Sequence, residues 1–131
     1  KAKNIGLGKT DGFLDFHIPK ADLTTGNDTF QLDSGIEYTT TKVATKKLDD
    51  VVTEFVANNN NYGLWIDVEG FQREVLEGAK QSLSSPNCSF VKIEMESKPH
   101  FSEKQILAEE IHGIFTENNF TPIFCDFEFD T

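Results

Sequence analysis

One short stretch of this chain, Leu64-Trp65-Ile66-Asp67-Val68-Glu69-Gly70, carries most of the information about its architecture. Three apolar residues open the stretch, which is typical of a strand buried inside a sheet, and Trp65 is expected in the core. Two acids come next, at alternate positions. Gly70 then permits a sharp turn, because glycine tolerates backbone angles that other residues avoid. The stretch therefore predicts a strand over residues 64–68 that ends in charged side chains and turns into a helix.

The rest of the second half alternates between helical and strand-like patterns. The elements predicted there are, in order, a helix over 48–56, the strand over 64–68, a helix over 71–83, a strand over 90–95, a helix over 106–115 and a strand over 121–129. Ser102 and Gln105 have the spacing of a capping box, which predicts that the last helix begins there. Such alternation is typical of a sheet whose parallel strands are joined by crossover helices. We therefore expect the strands over 64–68 and 90–95 to be parallel neighbours.

The first half of the chain predicts strands rather than helices. Short strands are expected over 4–7, 13–18 and 36–43, where residues alternate or where β-branched and aromatic residues predominate. Two polar, turn-forming stretches predict loops that are too short to separate domains. With 131 residues and no internal repeat, the chain is expected to form a single domain over residues 1–131.

Charge and composition exclude several classes of partner. A net charge of −10 with one arginine, Arg73, argues against nucleic acid, because phosphate binding needs clustered lysines and arginines. No apolar run approaches the roughly 20 residues of a membrane helix, and no signal peptide is visible, so a cytoplasmic protein without a membrane partner is expected.

Cys88 and Cys125 lack a metal or redox spacing and are expected to stay reduced. The histidines lack a zinc-binding spacing. His100 is expected in a surface loop, although it could also face the strand end at residues 94–96 that it follows.

Acidic side chains follow both predicted parallel strands, where an open α/β sheet normally binds its ligand. Asp67 and Glu69 follow the first strand, and Glu94 and Glu96 follow the second. Because alternate residues of an extended chain point the same way, these four carboxylates are expected at one edge. They repel one another unless a cation, a hydrogen-bond donor or a raised pKa relieves them. A cationic group of a ligand, a divalent metal ion or a substrate hydroxyl that gives up its proton would each do so, and the pattern leaves all three open.

The run from residue 64 to residue 79, LWIDVEGFQREVLEGA, is similar to the core of the FkbM family of methyltransferases. In that family a hydrophobic strand ends in Ile-Asp-Val-Glu-Gly, and the helix after it contains Glu-Val-Leu-x-Gly-Ala. Lys47-Leu48-Asp49-Asp50 resembles the family's preceding helix start, and residues 92–96 resemble its next strand. Residues 4–16 loosely resemble its Ala-Leu-Ser-Asp-x-x-Gly segment, with Lys9 in place of the aspartate. The resemblance spans nearly the whole chain and is strongest from 47 to 96.

The resemblance implies an S-adenosylmethionine-dependent methyltransferase. The fold would be α/β, a Rossmann-like class I methyltransferase sheet with crossover helices, truncated so that this chain is its C-terminal part. The family's glycine-rich cofactor loop would precede residue 1 and its final strand would follow residue 131, so the chain alone is expected to bind cofactor weakly and to be inactive. Methyl transfer to a hydroxyl of a small molecule or sugar would use Asp67, Glu69 and Glu94 as catalytic residues. Asp67 would also contact the cofactor, and no metal is implied.

Two functions other than methyl transfer are also open. Asp67, Glu69, Glu94 and Glu96 could form a divalent-metal site, because hard cations prefer oxygen ligands. The chain could instead be a non-catalytic, methyltransferase-like assembly domain. An incomplete sheet has unpaired edges, which pair readily with another chain. A homodimer formed through such edges is therefore a further expectation.

Overall fold

The computed structural model describes residues 2–20, 35, 37–57, 59–100 and 103–126. These residues form a mixed α/β fold. Its elements in chain order are β1 (Gly6–Leu7), β2 (Gly12–Pro19), β3 (Tyr38–Lys46), α1 (Leu48–Phe55), β4 (Tyr62–Ile66), α2 (Gln72–Glu77), α3 (Lys80–Ser84), β5 (Cys88–Ile93) and α4 (Ala108–Glu117).

β4 and β5 form a two-stranded parallel ladder, so the predicted pairing of these strands is confirmed, although each strand begins and ends two residues earlier than predicted. The register pairs Gly63 with Phe90, Leu64 with Val91, Trp65 with Lys92 and Ile66 with Ile93. Parallel strands need a long connection between them, and here α2 and α3 provide it. Leu64 and Ile66 are buried in the core, whereas Trp65 is 71% exposed on the opposite face. The expectation that Trp65 lies in the core was therefore wrong, because no described element covers that face.

β1, β2 and β3 form a separate three-stranded sheet in the order β1-β3-β2. β2 runs antiparallel to β3, and β1 runs parallel to it. The strands predicted over 13–18 and 36–43 are confirmed by β2 and β3, although β3 continues to Lys46 and residue 36 lies outside the described residues. β1 contains only two of the four residues predicted over 4–7, because its pairing with β3 is limited to Gly6 and Leu7.

The single helix predicted over 71–83 is interrupted in the structure, which has α2 and α3 in its place. The break falls at Gly78, where a Cβ atom would overlap the carbonyl oxygen of Gly8. Buried apolar residues nevertheless lie on both sides of the break: Val75, Leu76, Ala79 and Leu83. The apolar spacing therefore indicated a buried face correctly, but it did not reveal the contact that divides the helix.

α1 stabilises this break through Asp49. The backbone N–H of Asp49 donates to the Gly78 carbonyl at 3.0 Å. Its carboxylate accepts the backbone N–H groups of Gln81 at 3.1 Å and of Ser82 at 2.7 Å, and it also accepts the Ser82 hydroxyl at 2.7 Å. Asp49 thus satisfies N–H groups at the start of α3, which have no partner within their own helix.

α4 begins at Ala108, later than the capping-box pattern predicted. Gln105 is buried in the turn before the helix, and its side-chain oxygen accepts the backbone N–H of His100 at 2.9 Å. The helix has Leu107 at its N-cap position and no side-chain cap. The predicted helix start was therefore wrong, and Ser102 lies outside the described residues.

The strand predicted over 121–129 is not formed by residues 121–126, and residues 127–129 lie outside the described part of the chain. Ile123 is 93% exposed and Phe124 is 82% exposed. A strand requires a neighbour to pair with its backbone, and no described strand pairs with this segment. β propensity alone did not determine its structure.

The core lies between the β4–β5 ladder and the helices that pack against it. Its buried apolar residues are Leu48, Leu64, Ile66, Val75, Leu76, Ala79, Leu83, Cys88, Ile106 and Ile111. This core fixes one face of the ladder and leaves the carboxyl ends of both strands at the surface. Among the described residues, no helix has the length and apolar character needed to cross a membrane.

Candidate functional site

Asp67 and Glu94 lie side by side at the carboxyl ends of β4 and β5. Ile66 is paired with Ile93, and each acid is the next residue along its strand. The backbone N–H of Glu94 donates to the Ile66 carbonyl at 3.1 Å, which continues the pairing to this position. Since side chains alternate between faces and Ile66 is buried, both acids lie on the exposed face.

Glu69 joins these two acids through a tight turn after β4. Glu69 has a φ of 41° and Gly70 a φ of 86°, and the Phe71 N–H donates to the Val68 carbonyl at 2.9 Å. A non-glycine residue with positive φ is uncommon, so the turn constrains where the Glu69 side chain projects. Carboxylate oxygens of Asp67, Glu69 and Glu94 all lie within 4.8 Å of one another. We call these three residues the acid cluster.

Two members of the acid cluster, Glu94 and Glu69, have raised pKa values. Partial burial raises the pKa of Glu94 to about 7, together with a hydrogen bond to Asp67 and the negative charges of Asp67, Glu69 and Glu96. Burial also raises the pKa of Glu69, with further contributions from Asp67 and Glu96. Both shifts have the sign expected for crowded carboxylates. Near neutral pH, Glu94 therefore exchanges a proton readily.

Glu96 lies beside the acid cluster but is not part of it. Its side chain is half-buried, and its carboxylate oxygen lies 3.5 Å from Nε2 of His100. The charge of Glu96 still acts on Glu69 and Glu94. His100 lies in an exposed loop, as predicted, and the structure adds its contact with this edge. His100 closely follows the strand end at residues 94–96 in sequence, and that proximity was the available signal for the contact.

Gln72 also belongs to this region, and the sequence analysis missed it. The residue is 1% exposed, and its Nε2 donates to the backbone carbonyl of Glu94 at 3.4 Å. Gln72 precedes Val75, Leu76 and Ala79 at helical spacing, so it occupies the apolar face of α2. A polar residue at such a position was the signal that could have identified it, because buried polar groups normally have a specific partner.

An aromatic and cationic surface adjoins the acid cluster on the exposed face of the ladder. The Lys92 ammonium lies 4.0 Å from the centroid of the Trp65 ring, a cation–π contact. Phe90 is exposed on the same face and covers Gly63, where a Cβ would overlap its ring.

In the described part of the chain, the acid cluster and this aromatic surface form an open surface, not a cleft. Two concave regions of the described residues lie elsewhere, beside the Arg73–Glu110 ion pair, whose N–O distances are 2.7 and 2.9 Å.

The arrangement can attract a cation and can exchange a proton. Three carboxylates whose oxygens lie within 4.8 Å of one another favour a positively charged group, whether an organic cation or a divalent metal ion. Asp67 and Glu94 lie on the strand ends at which open α/β sheets bind ligands.

The family model for the Methyltransferase FkbM domain matches residues 1–122 of the chain. The chain belongs to the FkbM methyltransferase family. The resemblance carried by residues 64–79 is thereby confirmed. No curated protein and no solved structure matches the chain significantly. Within this FkbM domain the matched residues include the whole β4–β5 ladder and the acid cluster, and membership indicates methyl transfer as the class of reaction.

Proposed function

We propose that this FkbM domain is part of an S-adenosylmethionine-dependent methyltransferase that methylates a hydroxyl oxygen of a small molecule or sugar. The observation that carries the proposal is the acid cluster at the carboxyl ends of the parallel β4–β5 ladder. The proposal includes a Rossmann-like arrangement of the complete domain, for which the parallel ladder and its α2–α3 crossover give support.

The acid cluster fits the cationic end of the proposed cofactor. S-adenosylmethionine carries a sulfonium and an ammonium group, and carboxylates crowded within 4.8 Å gain stability from a nearby positive charge. Asp67 is the residue that we propose to contact these groups. When bound, the cofactor would supply an electrophilic methyl group for the acceptor oxygen.

Glu94 is the residue that we propose as general base. A base works best when its pKa is close to the working pH, and the pKa of Glu94 is raised to about 7. It would accept the proton of the acceptor hydroxyl and release it to solvent, to which the residue is exposed. Asp67 raises the proton affinity of Glu94, and Glu69 adds negative charge that favours the neutral form. Glu69 therefore acts in this proposal by helping to keep the pKa of Glu94 raised.

The experiment uses the full-length protein, S-adenosylmethionine with a labelled methyl group, and a panel of sugars and small hydroxylated molecules. We expect label in an acceptor, and we expect Glu94→Gln to lower turnover by roughly 10²-fold, the scale of a positioned acid–base group. Glu117→Gln makes the same change on the exposed end of α4 and should leave turnover unchanged. Absence of labelled product from every acceptor, or equal turnover in both variants, would count against the proposal.

A divalent-metal site is the second candidate, and the close approach of the three carboxylates favours it. Calorimetric titration of the protein with Mg²⁺ and then Ca²⁺ separates the two candidates. Binding that disappears in Asp67→Asn, without methyl transfer to any acceptor, would favour the metal site. Methyl transfer that persists with a chelator present would favour the first proposal.

A further inference from the structure

Gln72 links the two chain segments that form the acid cluster. Asp67 and Glu69 belong to the segment between β4 and α2, whereas Glu94 follows β5. Gln72 lies at the first position of α2, directly after that turn, and its Nε2 donates to the Glu94 carbonyl at 3.4 Å. One buried side chain therefore connects the segment that carries two of the acids to the backbone of the third.

The position of this hydrogen bond continues the pattern of the ladder. The Glu94 N–H donates to Ile66, so the Glu94 carbonyl also faces the β4 side, because both groups of one strand residue point to the same edge. In a continuing parallel ladder, a backbone N–H from β4 would be the next donor. The chain instead turns between Val68 and Phe71, and the Gln72 amide donates in its place. Both backbone groups of Glu94, its N–H and its carbonyl, are thereby held by hydrogen bonds.

Gln72 is an unfavourable residue for stability alone. It is 1% exposed, and its Oε1 has no hydrogen-bond partner among the described residues. Leaving a buried acceptor unpaired costs free energy, and an apolar side chain of the same shape would avoid that cost. Its neighbours on the same helical face, Val75 and Leu76, are apolar core residues. A polar side chain at this position is therefore better explained by the Glu94 carbonyl that it orients than by a contribution to the free energy of unfolding.

We infer that Gln72 is a positioning residue that fixes the Glu94 strand end relative to Asp67 and so aligns the general base for methyl transfer. This inference rests on the proposed function. Gln72 acts through the Glu94 backbone and does not contact the substrate. Small displacements of an aligned group are costly to a reaction rate, because the reacting atoms need a specific approach.

The test compares Gln72→Met with Gln81→Met in the full-length protein. Both variants replace glutamine by a side chain of similar length, but Gln81 is an exposed residue of α3 that lies outside the acid cluster. Three quantities are measured: thermal unfolding, the hydrogen-exchange rate of the Glu94 amide by NMR, and the kcat and KM for methyl transfer. Gln72→Leu removes the same polar atoms and serves as a second variant where Met does not pack.

We expect the apolar variants to unfold at an unchanged or higher temperature. We also expect the Glu94 amide to exchange about fivefold to tenfold faster. This N–H keeps its own bond to Ile66, but the strand end opens more often once the bond from Gln72 to the Glu94 carbonyl is lost. The kcat should fall at least tenfold, with a smaller change in KM. Gln81→Met should match the wild type in all three. An unchanged Glu94 amide, or normal kcat despite faster exchange, would overturn the inference. Absence of methyl transfer by the wild-type protein would instead overturn the proposed function, and the amide would still report whether Gln72 fixes Glu94.

Discussion

Asp67 does not cap the helix that follows it. A carboxylate directly before a helix is often an N-cap, but the N-cap position of α2 is Phe71 and the helix has no side-chain cap. Asp67 instead lies on the exposed face beside Glu94. Its charge is therefore available to a ligand and contributes little to the folding of α2.

Asp67→Asn is accordingly expected to reduce turnover of the full-length protein by roughly 10²-fold or more, with a melting temperature near that of the wild type. Asn preserves the shape of the side chain and removes its charge. The matched control is Asp49→Asn. The two carboxylate oxygens of Asp49 each accept a backbone N–H of α3. An amide nitrogen in place of one oxygen cannot accept, so this variant should lower the melting temperature while leaving turnover per folded molecule unchanged. Parallel assays of turnover and thermal unfolding decide between the two roles, and full activity of Asp67→Asn would remove this residue from the site.

Glu94 makes stability depend on pH in a defined direction. Its pKa is raised from the usual value of 4.5 to about 7 in the folded chain, so the folded state binds the proton more tightly than the unfolded state does. Its contribution to stability is fully present below about pH 4.5 and is lost as the pH rises through 7. The raised pKa of Glu69 acts in the same direction.

The melting temperature of the wild type should therefore fall between pH 5 and pH 8 relative to that of Glu94→Gln, in which the titrating group is absent. Thermal unfolding at closely spaced pH values checks this, with both proteins in the same buffers. If the two curves run parallel across that range, the carboxyl of Glu94 does not have the perturbed proton affinity that the general-base role requires.

At the scale of the elements, the contact between α1, β1 and the α2–α3 break is set by Gly78. A Cβ at this position would meet backbone atoms of Gly8 and Lys47, and backbone yields less readily than the end of a side chain. Asp49 closes the same contact from α1. The break between α2 and α3 thus packs at Gly78 against Gly8, the residue that follows β1.

Gly78→Ala should consequently destabilise the protein by about 1–3 kcal/mol, the usual range for overpacking. Gly113→Ala provides a control of opposite sign: it lies inside α4 with nothing near the added methyl group, and should stabilise the helix by about 0.5–1 kcal/mol. Chemical denaturation of both variants measures the difference. Equal stability of Gly78→Ala and the wild type would show that the helices shift to accommodate the methyl group.

The elements also show which parts of the fold the sequence could predict. Apolar runs bounded by turn residues located β4 and β5, and the resemblance and the spacing of acids located Asp67, Glu69 and Glu94. The break at Gly78 depends on a backbone distant in sequence, so periodicity within one helix could not reveal it. The role of Gln105 was mistaken because its side chain bonds a loop rather than a helix start. Gln72 was overlooked because its partner is a backbone carbonyl, which has no signature in a sequence.

For the whole molecule, the described residues leave both outer edges of the β4–β5 ladder without a neighbouring strand. Unpaired edges favour association with another chain, and the exposed face between them carries Trp65 and Phe90. We expect the 131-residue chain to form a homodimer at micromolar to millimolar concentrations, with a mass of twice 14.7 kDa by light scattering. A monomeric mass at the highest concentration would contradict this expectation.

The contact between Trp65 and Lys92 has an optical consequence. The chain contains one tryptophan, and that residue is largely exposed two positions before Asp67, under the Lys92 ammonium. Its fluorescence therefore arises from a single, solvated indole next to the acid cluster, without background from the core. A molecule that binds to the acid cluster, or a strand that covers this face, would displace water from the Trp65 ring and shift its emission to shorter wavelength. The native chain thus contains its own spectroscopic reporter, and ligands can be screened without a label.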